Sequence, residues 1–218
     1  MGADVAHVRC STTADGDFHI DGSRLTLGHR RQAFAPGAWT QLDEVHGTRV
    51  VTVTEPGEHD FDEADAAVTR RRDVVLSVWV GDCAPVALLG DDGTVGVAHV
   101  GWRGAIDGVL QHTVQAMREL GTTSLCAVVG PCIGPCCNEF GADLLRTFRD
   151  RFGPHVASTT TWGAPSLDLP AVVVAALAEW HVPVTLLWVC TRCDPRFFSH
   201  RRGELGRQVM TVQRMAAA

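Results

Sequence analysis

Lysine and tyrosine are both absent from this 218-residue chain, so all 19 of its Lys+Arg positions are arginine. With no lysine to choose instead, a single arginine is a weaker sign of bidentate anion recognition than usual. An excess of positive charge is missing too: 25 Asp+Glu leave a net charge of -6, which excludes a global pull toward nucleic acid or anionic membranes. No apolar run approaches the ~20 residues of a membrane span. The longest are stretches such as AVVVAALAEW, and the opening MGADVAHVRC holds no apolar signal core. A cytoplasmic protein with no nucleic-acid and no membrane partner is the expectation. Neither an internal repeat nor a low-complexity segment occurs.

What is present suits a globular fold. At 45% hydrophobic and 20% charged, the chain is expected to fold as a single domain over residues 1–218. A domain of this size buries roughly 70% of its unfolded surface. Eight cysteines in a chain of this length and without an export signal read as core thiols or metal ligands rather than a disulfide framework.

The apolar pattern predicts strands interrupted by three helices. VAHVRC and SRLTLG read as early strands, RVVTVT alternates, and DVVLSVWVGDC is the near-continuous run of a strand covered on both faces. VALLGDDGTVGVAHV reads as a hairpin. One helix is predicted from Ile106 to Leu120, stopped by Gly121, a second over GADLLRTFRDRFG, and a third capped by Asp168 with Pro170 in its first turn. SLCAVVG reads as a buried strand and VTLLWVC as the last core strand. The fold class is therefore α/β, α+β-like: a mixed β-sheet core with flanking helices.

Four apolar strands end in polar residues: VLSVWVGDC, VGVAHVGWRG, CAVVGPCIGPCC and TLLWVCTRCD. Strand ends and the loops beyond them are where side chains converge on a pocket. Cys83 and His99 face each other across the predicted hairpin, and His46 precedes a strand in DEVHGTRV. One thiolate and two imidazoles match the preferences of zinc, and three protein ligands leave a position for water. The same spacing also accommodates an ordinary buried thiol and two satisfied histidines.

Asp82 is a candidate ligand-orienting group or general base, or else a turn cap. Arg103 stands at a helix start, where guanidinium and helix N-terminus together offer an anion site. Arg201 and Arg202 in FFSHRRGELGR add positive charge or form a solvated basic turn. Cys132, Cys136 and Cys137, with Cys190 and Cys193 of CTRCD, invite a structural four-thiolate site, although Cys-x3-Cys-Cys is not the common knuckle.

In order along the chain, EVHGTRV, ADAAVT, GDCAPVALL, AHVGWRG, GPCIGPCCNEFG and CTRCDPRFFSHRRGELGR resemble the YfiH/LACC1 family of purine nucleoside phosphorylases, formerly called multicopper polyphenol oxidoreductases, laccase-like. The resemblance implies a cytoplasmic enzyme that phosphorolyses adenosine, inosine, guanosine and methylthioadenosine and hydrolytically deaminates adenosine. It implies zinc (Zn2+) held by His46, Cys83 and His99, which match the family's Q-x-H-G, A-D-C-x-P and H-x-G-W-R-G motifs. On this reading Asp82 and Arg103 are the catalytic candidates, and Arg103, Arg201 and Arg202 bind phosphate. The partners are purine nucleosides and phosphate, and the chain is a monomer or homodimer. Glu44 replaces the family's usual Gln, Gly81 its usual Ala and Asn138 a common Tyr. The usual S-x-x-G-G-V-S entry and Asn-rich segment are missing from the N-terminal region.

Three other readings use the same residues. Cys83 activated by His99 would make a cysteine-hydrolase-type amidase that edits peptidoglycan precursors. A non-enzymatic, zinc-stabilised binding module would close its metal with four protein ligands. Copper-dependent phenol oxidation would need His-rich sites with His-x-His pairs, and the ten histidines here form none.

Overall fold

Strand alternation places residues of opposite parity on opposite faces of a sheet, and this chain uses both faces of two sheets. The computed structural model describes residues 4–216. Its strands are β1 (Asp4–Cys10), β2 (Ala38–Gln41), β3 (Val50–Val53), β4 (Ala66–Thr69), β5 (Val74–Val80), β6 (Ala84–Gly90), β7 (Val95–Val100), β8 (Leu125–Val129), β9 (Ala157–Thr159), β10 (Pro165–Leu167), β11 (Val184–Leu186) and β12 (Gln208–Ala216). The helices are α1 (Arg24–Phe34), α2 (Trp102–Asp107), α3 (Val109–Glu119), α4 (Ala142–Phe152) and α5 (Leu169–Ala178).

A four-stranded sheet runs β1-β12-β5-β2 and a six-stranded sheet β11-β8-β6-β7-β4-β3, each with parallel and antiparallel neighbours; β9 and β10 form a separate hairpin. The two larger sheets pack face to face through Leu76 and Val78 of β5, Val95 and Val97 of β7, and Met210 and Val212 of β12. Val86, Leu88, Ala98 and Val100 point the other way, into a core shared with Leu110, Val114, Phe148 and Val173 of the helices. Val75 and Val209 face Leu27 and Phe34 of α1. The order of layers is thus helix, sheet, sheet, helices. That order explains the unbroken apolar run of β5, whose two faces meet different cores.

The mixed-sheet class read from the sequence is the observed one, and the hairpin pairs Pro85 with His99 in antiparallel register. Three elements differ. SRLTLG opens α1 rather than forming a strand: the Ser23 hydroxyl accepts from the Thr26 N–H, and Leu27 and Phe34 recur at helical spacing on the buried side. The helix predicted from Ile106 is two helices, α2 and α3, divided at Gly108, whose left-handed φ of 98° ends the first. VTLLWVC contributes only the short edge strand β11, and Trp188 is 74% exposed. The last core strand is instead β12, between β1 and β5.

Candidate active site

The hairpin and the two loops beside it carry the predicted trio to one point. Cys83 immediately precedes β6, His99 lies near the end of β7, and His46 sits in the loop before β3. Cys83 Sγ is 3.8 Å from His46 Nε2, the imidazoles are 4.7 Å apart edge to face, and one donor atom from each residue falls within 4.8 Å of the others. Bonds of about 2.0–2.3 Å at a tetrahedral ion put sulfur and nitrogen donors about 3.5 Å apart, so the trio fits one metal ion. His46 holds a left-handed φ of 61°, a conformation costly for a side chain with Cβ and found where the surroundings impose it. Gly101 leaves the necessary room: a Cβ there would lie 2.6 Å from His46 Cδ2.

What imposes the geometry is Asp65, which the motif reading passed over. It is wholly buried just ahead of β4, and its carboxylate accepts from the backbone N–H groups of His46 (2.8 Å) and Gly47 (2.6 Å) and from His99 Nδ1 (2.8 Å). Donation from Nδ1 leaves the Nε2 lone pair of His99 for a metal. Burial raises the Asp65 carboxyl, but the hydrogen bond and charge of His99 with the two backbone donors bring it below its ordinary value. The one available signal was an acid set directly before a fully buried strand, in EADAAVT.

Glu44 completes the electrostatics. Its side chain is 2% exposed, accepts from Trp79 N–H at 2.7 Å and lies 3.6 Å from His99 Nδ1. Burial dominates and pushes its carboxyl up to about 8, against the charge of His99 and the Trp79 hydrogen bond. His99 is pulled down by burial but raised well above its ordinary value by the charges of Glu44 and Cys83 and its bond to Asp65. Desolvation raises Cys83, yet His99 and His46 outweigh it and bring the thiol to about 6. The two histidines thus favour the thiolate form of Cys83.

The trio opens into a cavity of about 440 Å³, within the range of small-molecule sites. Trp102, Phe140, Ile133, Leu167 and Leu169 supply apolar walls, with the Trp102 and Phe140 rings 6.0 Å apart edge to face. Arg103 lines the mouth with its guanidinium 4.2 Å from the Trp102 ring centroid, and Arg201 lines it too, donating to the Glu139 carbonyl at 3.1 Å. Arg202 is not brought to the cavity. Its guanidinium pairs with Glu204 and donates to the carbonyls of Thr191, Arg192 and Phe197.

Asp82 lines the cavity with a φ of 103°, but both its oxygens are engaged: Oδ1 by Thr191 Oγ1 at 2.6 Å, Oδ2 by Ser199 Oγ at 3.1 Å and Arg201 N–H at 2.7 Å. Those bonds make it the anchor of the turn that presents Arg201.

A half-buried His/Cys trio, braced by a carboxylate at the base of an apolar cavity with a cationic lip, sits where two sheets and their loops meet. The chain belongs to the family described as multi-copper polyphenol oxidoreductase laccase, which matches residues 11–215. It is 32% identical over 223 residues to purine nucleoside phosphorylase YlmD of Geobacillus stearothermophilus, covering 90% of this chain and 81% of that protein. A purine nucleoside phosphorylase of Xylella fastidiosa is 38% identical over 178 residues, covering 74% of this chain and 66% of its own length. The crystal structure of YlmD from Geobacillus stearothermophilus superposes with a TM-score of 0.80 at 27% identity, over 96% of this chain and 92% of that one.

Proposed function

We propose that the chain is a zinc-dependent purine nucleoside enzyme, performing phosphorolysis of adenosine, inosine, guanosine and methylthioadenosine and hydrolytic deamination of adenosine. The observation that carries this reading is the convergence of His46, Cys83 and His99 on a cavity that also holds apolar rings and arginines. Relatives named purine nucleoside phosphorylase supply the substrate class.

Zinc, when bound, supplies Lewis-acid polarisation and lowers the pKa of water. Trp102 and Phe140 receive the purine, whose π face and edge suit aromatic contacts. Arg103 and Arg201 hold phosphate through charge-assisted hydrogen bonds, with Arg103 steadied by its stack on Trp102. In phosphorolysis a phosphate oxygen bonds to C1′ as the bond to purine N9 breaks, and the purine leaves with a proton. In deamination water adds at C6 and ammonia departs. Glu44, which lines the cavity and whose carboxyl is raised by burial, is the acid placed for that proton traffic. Asp82 acts as a positioning residue for Arg201.

A nucleoside panel with and without phosphate, read by product mass alongside metal analysis, tests the reading. Free base and ribose 1-phosphate should appear only with phosphate, and inosine with ammonia should form from adenosine without it. The His46→Ala, Cys83→Ala, His99→Ala triple variant should lose one zinc ion per chain and both activities. Undiminished turnover in that variant rejects the reading.

The depressed Cys83 thiol favours one second reading, a cysteine-hydrolase-type amidase in which His99 activates Cys83. Turnover that survives chelation and is abolished by iodoacetamide supports the amidase; chelator-sensitive turnover restored by zinc removes it.

A further inference from the structure

Two loops outside the trio bring together a cluster of four thiols that the proposed activity does not use. The loop after β8 supplies Cys136 and Cys137; the loop after β11 supplies Cys190 and Cys193. The loops run side by side through an isolated parallel bridge between Cys132 and Cys190, with the Cys132 N–H donating to the Val189 carbonyl and the Thr191 N–H to the Cys132 carbonyl. Each loop then turns back on itself: Cys137 N–H and Asn138 N–H both bond the Gly134 carbonyl, and Cys193 N–H and Asp194 N–H both bond the Cys190 carbonyl. These two turns aim four sulfurs at one another.

All four Sγ atoms lie within 4.8 Å of one another, with Cys136 to Cys193 at 3.7 Å and Cys137 to Cys193 at 3.3 Å. A tetrahedral ion with sulfur bonds of about 2.3 Å sets its ligands about 3.8 Å apart, whereas a disulfide needs about 2.0 Å. The spacing is that of ligands around one ion. Cys190 Sγ also accepts the Gly134 N–H at 3.2 Å, which places a backbone donor against a prospective thiolate. A side chain at Gly134 would crowd the cluster, since its Cβ would fall 3.3 Å from Cys190 Cβ and 3.4 Å from Cys136 Sγ.

We propose that Cys136, Cys137, Cys190 and Cys193 bind a second, structural zinc ion, distinct from any ion on His46, Cys83 and His99. Four thiolate ligands close the coordination sphere, so this ion takes no substrate. Binding exchanges thiol protons for one divalent cation and moves no electrons. The site staples the two loops that shape the cavity: the first presents Ile133 and Asn138 to it, and the second presents Thr191 to Asp82. Cys137 is buried while Cys193 is exposed, which gives the ion a route in from solvent. The sulfurs come from loops more than fifty residues apart in sequence, as the separations of 57 and 56 residues for Cys136 and Cys137 from Cys193 record.

Metal stoichiometry on protein purified anaerobically with zinc, together with intact mass under denaturing conditions, tests the proposal. The His46→Ala, Cys83→Ala, His99→Ala variant should retain one zinc ion, and the Cys190→Ser, Cys193→Ser variant should hold one fewer than wild type. Cobalt added to the metal-free triple variant should give intense sulfur-to-cobalt charge transfer and the visible bands of tetrahedral cobalt, a readout that leaves all four cluster cysteines in place. A triple variant that binds neither zinc nor cobalt while its thiols stay reduced overturns the proposal. So does a mass two hydrogens short, which marks a disulfide in place of the ion. Because the triple variant removes only the first site, failure here is separate from failure of the nucleoside reading.

Discussion

Asp65 Oδ1 lies 2.8 Å from His99 Nδ1 while the same carboxylate takes the backbone N–H of His46, so one buried acid orients two of the three prospective metal ligands. Carboxylates in this position typically contribute about 10–100-fold in metal affinity. Asp65→Asn should therefore weaken zinc binding by roughly that factor with Cys83 still in place. Competition against a fluorescent zinc chelator measures it, and unchanged affinity would deny Asp65 its orienting role.

Cys83 and Cys10 should differ sharply as nucleophiles in metal-free protein. The histidines hold Cys83 at about 6, whereas burial pushes Cys10 up to about 12. Alkylation of Cys83 should rise with pH through about 6 and level off by neutrality, with Cys10 unlabelled throughout. Zinc should protect Cys83. Peptide mapping after iodoacetamide reads both positions.

Glu44 gives a pH signature to the stability of the metal-free chain. Its folded value of about 8 exceeds its ordinary 4.5, so the native state favours the protonated carboxyl. Its stabilising contribution is complete below 4.5 and is lost as pH rises through about 8. Glu44→Gln, which cannot ionise, should show a flatter melting temperature across that window. Parallel profiles for the two proteins would mean that Glu44 does not titrate there.

The arginines should separate by role. Arg103→Ala should raise the KM for phosphate more than it affects deamination, because its guanidinium lines the cavity mouth. Arg202→Ala should instead lower the melting temperature, since three carbonyls and Glu204 lose their donor. Breaking such bonds costs on the order of 1–3 kcal/mol. Equal effects of Arg103→Ala on both reactions would contradict a phosphate-specific role.

Patterns confined to a few residues were legible in the sequence. The DDG turn between two apolar runs set the β6–β7 hairpin, and with it the approach of Cys83 to His99. Asp168 does cap α5, accepting from the Ala171 N–H, because a cap is a contact over three residues. SRLTLG was read as a strand for the same reason: two leucines alternating with polar residues cannot distinguish a strand from the first turn of a helix until Phe34 shows which face is buried.

Only the tertiary structure decided the rest, because it depends on partners distant along the chain. β12 is a core strand because β1 and β5 lie on either side of it, and no local pattern announces that enclosure. Asp65 braces the trio from 19 residues beyond His46 and 34 before His99, and Asp82 is held by Thr191 and Ser199 more than a hundred residues away, at separations of 109 and 117. The sequence by itself determined which side chains are chemically able to bind a metal. Folding determined which of them meet, since a ligand set needs several donors within a few ångströms, and chain spacing alone imposes no such distance across loops.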